Sequence, residues 1–275
     1  MKKMPDLALR MVVGLFVFSI FIAAIFFGHE IGFIAVFGFA LFMGLKEFYS
    51  LIDMGGFKPQ RLTGYALGLS LFAGNAMLTF YDYSEQFLFV PLLCLFLILP
   101  IELYRKREHP FTNIAHGFLG IIYVAVPVTL LINIIHPSQE IGYNPLFFVG
   151  FLMLILASDS GAYLAGTAFG KHKLFERISP KKSWEGAIGG LLLSIVFAIG
   201  FSYFLPFLTM IEWIGLSVIT VIAGIYGDLV ESLLKRNVGA KDSGTLLPGH
   251  GGVLDRLDSI ILATPFAYVY LKIFL

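Results

Sequence analysis

Long apolar runs, each of about the length that crosses a bilayer, dominate this 275-residue chain. A membrane-spanning helix needs about 20 apolar residues, and continuous rather than alternating runs favour helices over a transmembrane β-barrel. Hydrophobic residues make up 58% of the chain and charged residues only 13%. The sequence therefore predicts an all-α, polytopic membrane protein with about nine transmembrane helices. The predicted spans are residues 11–28, 31–45, 64–80, 87–104, 112–135, 145–168, 186–205, 211–228 and 255–274.

The basic residues indicate how these spans are oriented. In the nine-span topology, 18 of the 19 Lys and Arg residues fall on one side of the membrane, and Lys272 is the exception. Because loops rich in Lys and Arg face the cytoplasm, the N-terminus is predicted to be cytoplasmic and the C-terminus outside. The run from Met11 to Phe27 is too long for a signal-peptide core and lacks a clear cleavage site. We therefore interpret it as a retained first span.

Two regions of the chain differ in how many ionisable residues lie within their spans. Residues 1–140 contain the first five spans and almost no such residue. Residues 141–275 contain four spans, several acids and two long cytoplasmic loops, 170–185 and 229–254. We therefore place the chemistry in the second region. The net charge is only +1, so nothing indicates nucleic-acid binding.

Five acidic residues lie at or near span ends on the predicted cytoplasmic side, although a charge inside a span costs about 3 kcal/mol or more. They are Asp159, Asp228, Glu231, Asp255 and Asp258. The last four form two pairs spaced three residues apart, so each pair shares one helix face. Carboxylates from separate helices suit Mg²⁺, which takes one or two of them and adds phosphates and water. A second cation is left open. For each residue alone, an interfacial ion pair is the alternative.

The segment from Ser232 to Asp258 interleaves basic residues with glycines. Basic side chains supply charge and glycines expose backbone N–H groups, and a polyphosphate needs both. The glycines before the last helix also lie where a helix start attracts anions. The candidate phosphate-binding residues here are Lys235, Arg236, Lys241, His250, Gly251, Gly252 and Arg256. The alternative is a flexible interfacial loop whose glycines only form turns.

A second polar stretch precedes the seventh span on the same predicted side. Its candidate substrate-binding residues are Asp159, Tyr163, Lys181, Lys182 and Ser183. The alternative is an ordinary positively charged cytoplasmic loop with an interfacial Trp. Glycines at 161, 166 and 170 are predicted to permit close helix contact rather than to bind a ligand.

The polar segments together carry a long pattern of fixed spacing. From Ser232 to Asp258 it reads Ser-x-x-Lys-Arg, four residues, Lys-Asp-x-Gly, then Pro-x-His-Gly-Gly-x-x-Asp-Arg-x-Asp, with no departure. This resembles the signature of the phosphatidate cytidylyltransferases, the CDP-diacylglycerol synthases. Residues 159–163 and 179–186 resemble segments that accompany that signature.

The resemblance implies transfer of a cytidylyl group from CTP to phosphatidic acid, with release of pyrophosphate. It also implies a divalent metal, usually Mg²⁺, and a cytoplasmic active site in the bacterial inner membrane. We assign catalytic roles to Asp228, Lys241, Asp255 and Asp258. The predicted metal ligands are Asp228, Glu231, Asp255 and Asp258. His250 either contacts a phosphate oxygen or stabilises a turn. Expected partners are CTP, phosphatidic acid and membrane lipid, and small-residue helix faces favour a homodimer.

Other functions remain open on the sequence alone. One is a related CTP-dependent enzyme, either a polyprenol or phytol kinase or a synthase that uses ether-linked phosphatidic acid. Another is a transporter for a phosphate-bearing anion, which the lack of mid-membrane ionisable residues and of an inverted repeat argues against. A structural scaffold is the third, and it would tolerate substitution of the charged loops.

Overall fold

The structure is a computed structural model, and it describes residues 19–244 and 251–275. Helices contain most of these residues. In chain order they are α1 (19–27), α2 (His29–Met54), α3 (Arg61–Tyr81), α4 (Phe89–Arg105), α5 (Pro110–Gly120), α6 (Val126–Ile135), α7 (Pro145–Phe169), α8 (Trp184–Phe204), α9 (Met210–Asn237) and α10 (Leu254–Phe274). A 3₁₀ turn, Glu85–Leu88, leads into α4, and a π turn, Ile121–Ala125, joins α5 to α6.

These helices confirm the prediction of an all-α, polytopic membrane protein. Within the described residues, seven helical stretches are long and apolar enough to cross a membrane. Every predicted span from 31–45 onwards coincides with a helix. The first predicted span is helical over 19–27, and its residues 11–18, like Lys2, Lys3 and Arg10, lie outside the described residues. Helices form here because backbone groups in lipid must be satisfied within their own segment.

Two helices continue well beyond their predicted spans, through charged residues. The second helix, α2, ends at Met54 rather than near residue 45, and α9 ends at Asn237 rather than near residue 228. In α9 the Nζ of Lys235 lies 2.6 Å from a carboxylate oxygen of Glu231 one turn earlier. A span predicted from apolar runs stops at the first charge, whereas a helix continues where its charges find partners.

A short antiparallel hairpin lies between α7 and α8, and the sequence analysis does not predict it. Strand β1 (Lys173–Phe175) pairs with β2 (Ser179–Ser183). The Oγ of Ser183 then caps α8 by accepting a hydrogen bond from the N–H of Gly186 at 3.1 Å. The hairpin therefore orders the part of loop 170–185 that carries Lys181 and Lys182.

The chain forms two compact units, and their boundaries differ from the predicted division at residue 140. Unit 1 contains Met1–Val128 and Val238–Arg256, and unit 2 contains Thr129–Asn237 and Leu257–Leu275. The signature segment is thus shared between the units, because residues 238–256 pack with the N-terminal helices. A single boundary in the sequence cannot predict that a late segment packs with the N-terminal helices.

Each unit has its own buried core. In unit 1 Tyr49 is buried in α2, and its hydroxyl donates to the backbone oxygen of Gly117 at 3.0 Å. In unit 2 the fully buried Trp213 lies with its ring centroid 5.4 Å from that of Phe147 and 5.5 Å from that of Phe201. Such aromatic contacts add to the stabilisation that burial provides.

Close packing of α7 on α8 in unit 2 depends on glycine. A Cβ at Gly161 would lie 2.6 Å from the backbone oxygen of Gly189, closer than real contacts allow. The prediction that Gly161 permits close helix contact is confirmed. Asp159 lies two residues earlier on the same helix.

Candidate active site

Three aspartates from three different helices form the acidic centre of unit 2, which we call the aspartate cluster. They are Asp159 on α7, Asp228 on α9 and Asp258 on α10. Asp258 interacts electrostatically with both of the other two. The backbone of α9 approaches α10 closely beside them, since a Cβ at Gly227 would overlap the backbone oxygen of Asp258. The fold therefore brings together three of the acids that the sequence singles out.

One lysine of the hairpin reaches this cluster. The Nζ of Lys182 lies 2.5 Å from Oδ2 of Asp228, and both side chains are about one-third exposed. The hydroxyl of Ser232 donates to Oδ1 of the same carboxylate at 3.2 Å. Lys182 also interacts electrostatically with Asp159. A predicted phosphate-binding lysine thus lies beside the predicted metal ligands.

The other predicted substrate-binding residues of this stretch lie nearer the surface. Tyr163 and Lys181 are exposed, and Ser183 is buried as the cap of α8. Glu185 holds the base of the hairpin, because its carboxylate accepts hydrogen bonds from the backbone N–H groups of Lys171 and His172 at 3.2 Å.

The next acid on α9 has a different environment. Glu231 is fully buried, and one of its carboxylate oxygens is paired with Lys235. Burial of a charged pair demands close contact, and this pair provides it. Arg236, the adjacent basic residue, is exposed. The predicted role of Glu231 as a metal ligand stays a prediction.

The remaining signature residues lie in unit 1, where Asp255 organises the segment before α10. Its carboxylate accepts hydrogen bonds from the backbone N–H groups of Ser243, at 3.0 and 3.2 Å, and Gly252, at 2.8 Å. Gly251 has φ +82°, a conformation that favours glycine. Lys241 and Arg256 are exposed, and His250 lies outside the described residues.

Comparison with known proteins identifies the family to which these segments belong. A model of the cytidylyltransferase family matches residues 8–274. The chain belongs to the cytidylyltransferase family. A Bacillus subtilis relative named phosphatidate cytidylyltransferase is 32% identical over 280 residues, covering 98% of this chain and 100% of the relative.

Two further relatives with the same name match shorter regions. The Haemophilus influenzae protein is 42% identical over 170 residues, which cover 59% of this chain and 58% of the relative. The Staphylococcus aureus protein is 36% identical over 178 residues, which cover 64% of this chain and 66% of the relative. Both alignments span less than two-thirds of the relatives' own length.

Nucleotidyl transfer commonly uses a divalent cation, so we asked whether the acids of this chain could bind one. Within residues 19–244 and 251–275, no group of three or more His, Cys, Asp or Glu side chains is arranged to hold a metal ion. Mg²⁺, however, usually takes only one or two protein carboxylates and completes its coordination with substrate phosphates. Asp228 and Asp258 supply that number in unit 2, so the residues present fit such an ion.

Glu47 of α2 is the residue of this region that the sequence analysis missed. Its buried carboxylate accepts hydrogen bonds from Ser243, Val253 and Leu254, all within unit 1. The predicted second span ends at residue 45, which places Glu47 in a loop. One signal could have found it: Glu47 lies two residues beyond an apolar run, and apolar residues recur after it, from Phe48 to Ile52.

Unit 1 also contains a cavity of about 390 Å³ away from these residues. None of the predicted site residues lines it. Its basic residues are largely engaged, since Arg61 forms an ion pair with Asp53, and Arg105 lies 2.8 Å from the buried Glu102. We assign no role in the reaction to this cavity.

Proposed function

We propose that this chain is an integral-membrane nucleotidyltransferase that forms CDP-diacylglycerol and pyrophosphate from CTP and phosphatidic acid. The observation that carries the proposal is the aspartate cluster with Lys182 beside it, in a member of the cytidylyltransferase family. The names of the three relatives support the choice of substrates.

The chemistry needs charge neutralisation more than proton removal. The phosphate monoester of phosphatidic acid is already an anion, so one of its oxygens can attack the α-phosphorus of CTP directly. A new P–O bond forms there as the bond to the β-phosphate oxygen breaks, and pyrophosphate takes the bonding electrons. The barrier comes from repulsion between the two anions and from charge developing on the leaving group. Positioned cations lower both.

Residues of this chain supply part of that positive charge. Lys182 lies at the aspartate cluster, and we assign it to a phosphate of CTP or of the lipid. The signature residues Lys235, Arg236, Lys241 and Arg256 are proposed to bind the remaining phosphate oxygens. Gly251 and Gly252 are proposed to allow close approach of the nucleotide.

Asp228 and Asp258 would hold Mg²⁺, and Asp159 would add its negative charge beside them. When bound, the ion would neutralise phosphate oxygens and stabilise the leaving pyrophosphate. Three carboxylates in one unit repel one another, and a cation between them removes that repulsion. Asp255 and Glu231 stay predicted ligands, although each already has partners in the fold.

The nine-span topology is part of the proposal, with a cytoplasmic N-terminus, an outer C-terminus and the active site facing the cytoplasm of the inner membrane. Two contacts within unit 2 support it. Lys272 donates to the backbone oxygen of Pro137 at 3.1 Å, and the Tyr270 hydroxyl donates to that of Glu212 at 3.0 Å. In the nine-span topology all four residues lie at the outer side. The homodimer remains a prediction.

Labelled CTP tests the reaction directly. Purified protein in detergent is incubated with Mg²⁺, CTP labelled with ³²P at either the α- or the γ-phosphate, and one lipid acceptor at a time: ester- or ether-linked phosphatidic acid, a polyprenol or phytol. We expect lipid-soluble label only from α-labelled CTP. Label transferred only from the γ-position to a polyprenol or phytol would identify a kinase instead. Transfer to ether-linked but not ester-linked phosphatidic acid would identify the related synthase. Uptake of a phosphate-bearing anion by proteoliposomes without CTP turnover would identify a transporter.

A further inference from the structure

A buried carboxylate from the second helix holds the signature segment of unit 1 in place. Glu47 is 8% exposed. Its Oε2 accepts hydrogen bonds from the Ser243 hydroxyl at 3.0 Å and the Leu254 N–H at 2.8 Å. Its Oε1 accepts one from the Val253 N–H at 3.0 Å. One side chain therefore joins two parts of a segment about 200 residues later in the sequence.

Two glycines of the segment leave room for this carboxylate. A Cβ at Gly244 would overlap Oε1 of Glu47, and a Cβ at Gly252 would overlap Oε2. Neither glycine has a positive φ, unlike Gly251, which lies between them in the sequence. Close approach of side chains, rather than turn conformation, thus requires glycine at both positions: Glu47 at Gly244, and Glu47 together with the Ser243 hydroxyl at Gly252.

The carboxylate also satisfies the start of α10. Val253 and Leu254 lie at the first turn of this helix, whose N–H groups have no partners within the helix. A negative charge at this end is favourable because of the helix dipole. Asp255 binds the N–H groups of Ser243 and Gly252 from the other side. Glu47 and Asp255 together hold Ser243 and residues 252–254.

We propose that Glu47 is a positioning residue for the cytidylyl transfer: it holds the segment that presents Lys241 and Asp255 to the substrate. This inference rests on the proposed function in one respect, the assignment of that segment to CTP. Glu47 itself need not touch substrate, because its oxygens already accept three hydrogen bonds within the protein.

Substitution of Glu47 by Gln keeps the size of the side chain but removes its charge. The new NH₂ group must face either the Val253 N–H or the Ser243 and Leu254 donors, so at least one hydrogen bond is lost. We expect the KM for CTP to rise about 10- to 100-fold with a smaller change in kcat. The KM for phosphatidic acid should stay near its original value.

Glu102→Gln is the matched control. Glu102 is also buried in a helix of unit 1, at 5% exposure, but its partners are Gln60 and Arg105. This variant should lose comparable stability while its KM for CTP stays unchanged. Gly244→Ala is the second test, because the three atoms nearest to the added Cβ all belong to Glu47. It should reproduce the CTP effect of Glu47→Gln, and the double variant should be no worse than either single one.

Hydrogen exchange in the absence of substrate gives a readout that does not depend on activity. The amides of Val253 and Leu254, which donate to Glu47, should exchange faster in Glu47→Gln than in the original protein or in Glu102→Gln. An unchanged KM for CTP, or equal losses of kcat in Glu47→Gln and Glu102→Gln, would overturn the positioning role. If the original protein transfers no cytidylyl group, the proposed function fails. Unchanged hydrogen exchange in Glu47→Gln would instead refute the contact between Glu47 and the start of α10.

Discussion

Replacement of Asp255 or Asp258 by Asn should abolish or strongly reduce activity in both cases, but for different physical reasons. The two residues lie one turn apart on α10, and the sequence predicts both as metal ligands. Asp255 accepts hydrogen bonds from two backbone N–H groups of its own loop. Asp258 instead interacts with the like charges of Asp228 and Asp159. The variants should therefore differ in stability.

The size of the Asp255 effect follows from its hydrogen bonds. A hydrogen bond to a charged group contributes about 1.5–3 kcal/mol, and a buried donor left unpaired costs about 1–3 kcal/mol. Asn keeps one acceptor oxygen and turns an NH₂ group towards the other donor. We therefore expect the ordered loop to lose about 2–4 kcal/mol, or about 30- to 700-fold in its equilibrium with open forms.

Asp258→Asn should have the opposite effect on stability, because it removes one of three neighbouring negative charges. Its melting temperature should equal or exceed that of the original protein. Its activity should fall by at least roughly 10- to 100-fold, since metal affinity depends on carboxylate charge. Added Mg²⁺ should partly restore activity in Asp258→Asn, but not the loop order lost in Asp255→Asn.

Both variants are assayed for transfer from α-labelled CTP over a range of Mg²⁺ concentrations, and for thermal unfolding in the same detergent. Correct membrane insertion is the control for each. Near-normal turnover of Asp258→Asn at ordinary Mg²⁺ would refute the metal assignment. Equal destabilisation by the two substitutions would refute the distinction drawn from their partners.

Three further predictions concern the same region. Lys182→Met removes the ion-pair partner of Asp228, so kcat/KM for CTP should fall about 10- to 100-fold. The aspartate cluster becomes more negative in this variant, so its apparent Mg²⁺ affinity should increase. An unchanged kcat/KM would contradict the role of Lys182. Gly161→Leu should lower the melting temperature, by a destabilisation of about 1–3 kcal/mol or more, because its side chain would overlap α8. Removal of divalent cations with EDTA should stop transfer, and Mg²⁺ should restore it; transfer that persists in EDTA would exclude the proposed metal dependence.

The sequence predicts the helices well because the lipid environment limits the possible structures. In lipid the backbone must satisfy its own hydrogen bonds, so a long apolar run becomes a helix whatever its neighbours are. Charge inside such a run is unfavourable, which is why Asp228 and Asp258 stand out in the sequence alone. Their convergence with Asp159 in unit 2 agrees with that reasoning.

Features that depend on distant partners cannot be predicted in this way. The apolar pattern predicts an end of α2 that is too early. The hydrogen-bond donors that stabilise the buried Glu47 carboxylate belong to Ser243, Val253 and Leu254, about 200 residues later. The hairpin escapes prediction because its strands have only three and five residues and lack the alternation that marks a half-buried strand. The sequence predicts that Lys182 binds phosphate, and nothing local indicates its ion pair with Asp228.

The partners of the helix acids separate Glu231, Glu102 and Glu47 from Asp258. In the described part of the chain, Glu231 is paired with Lys235, Glu102 with Arg105, and Glu47 with three hydrogen-bond donors. Glu231 and Glu102 are thus neutralised by a basic side chain, and the Glu47 carboxylate is stabilised by neutral hydrogen-bond donors. Asp258 forms no ion pair among those residues, and two of its electrostatic neighbours are themselves acidic.

An acid whose charge is balanced gains little from a bound cation, whereas a group of unbalanced acids gains much. Negative charge therefore accumulates at the aspartate cluster, beside a lysine that forms an ion pair with Asp228. A nucleotide that arrives with its own counter-ion would relieve this repulsion as it binds. The protein should therefore bind the Mg²⁺–CTP complex more tightly than free CTP. Competition binding of CTP with and without Mg²⁺ would measure the difference between the two affinities.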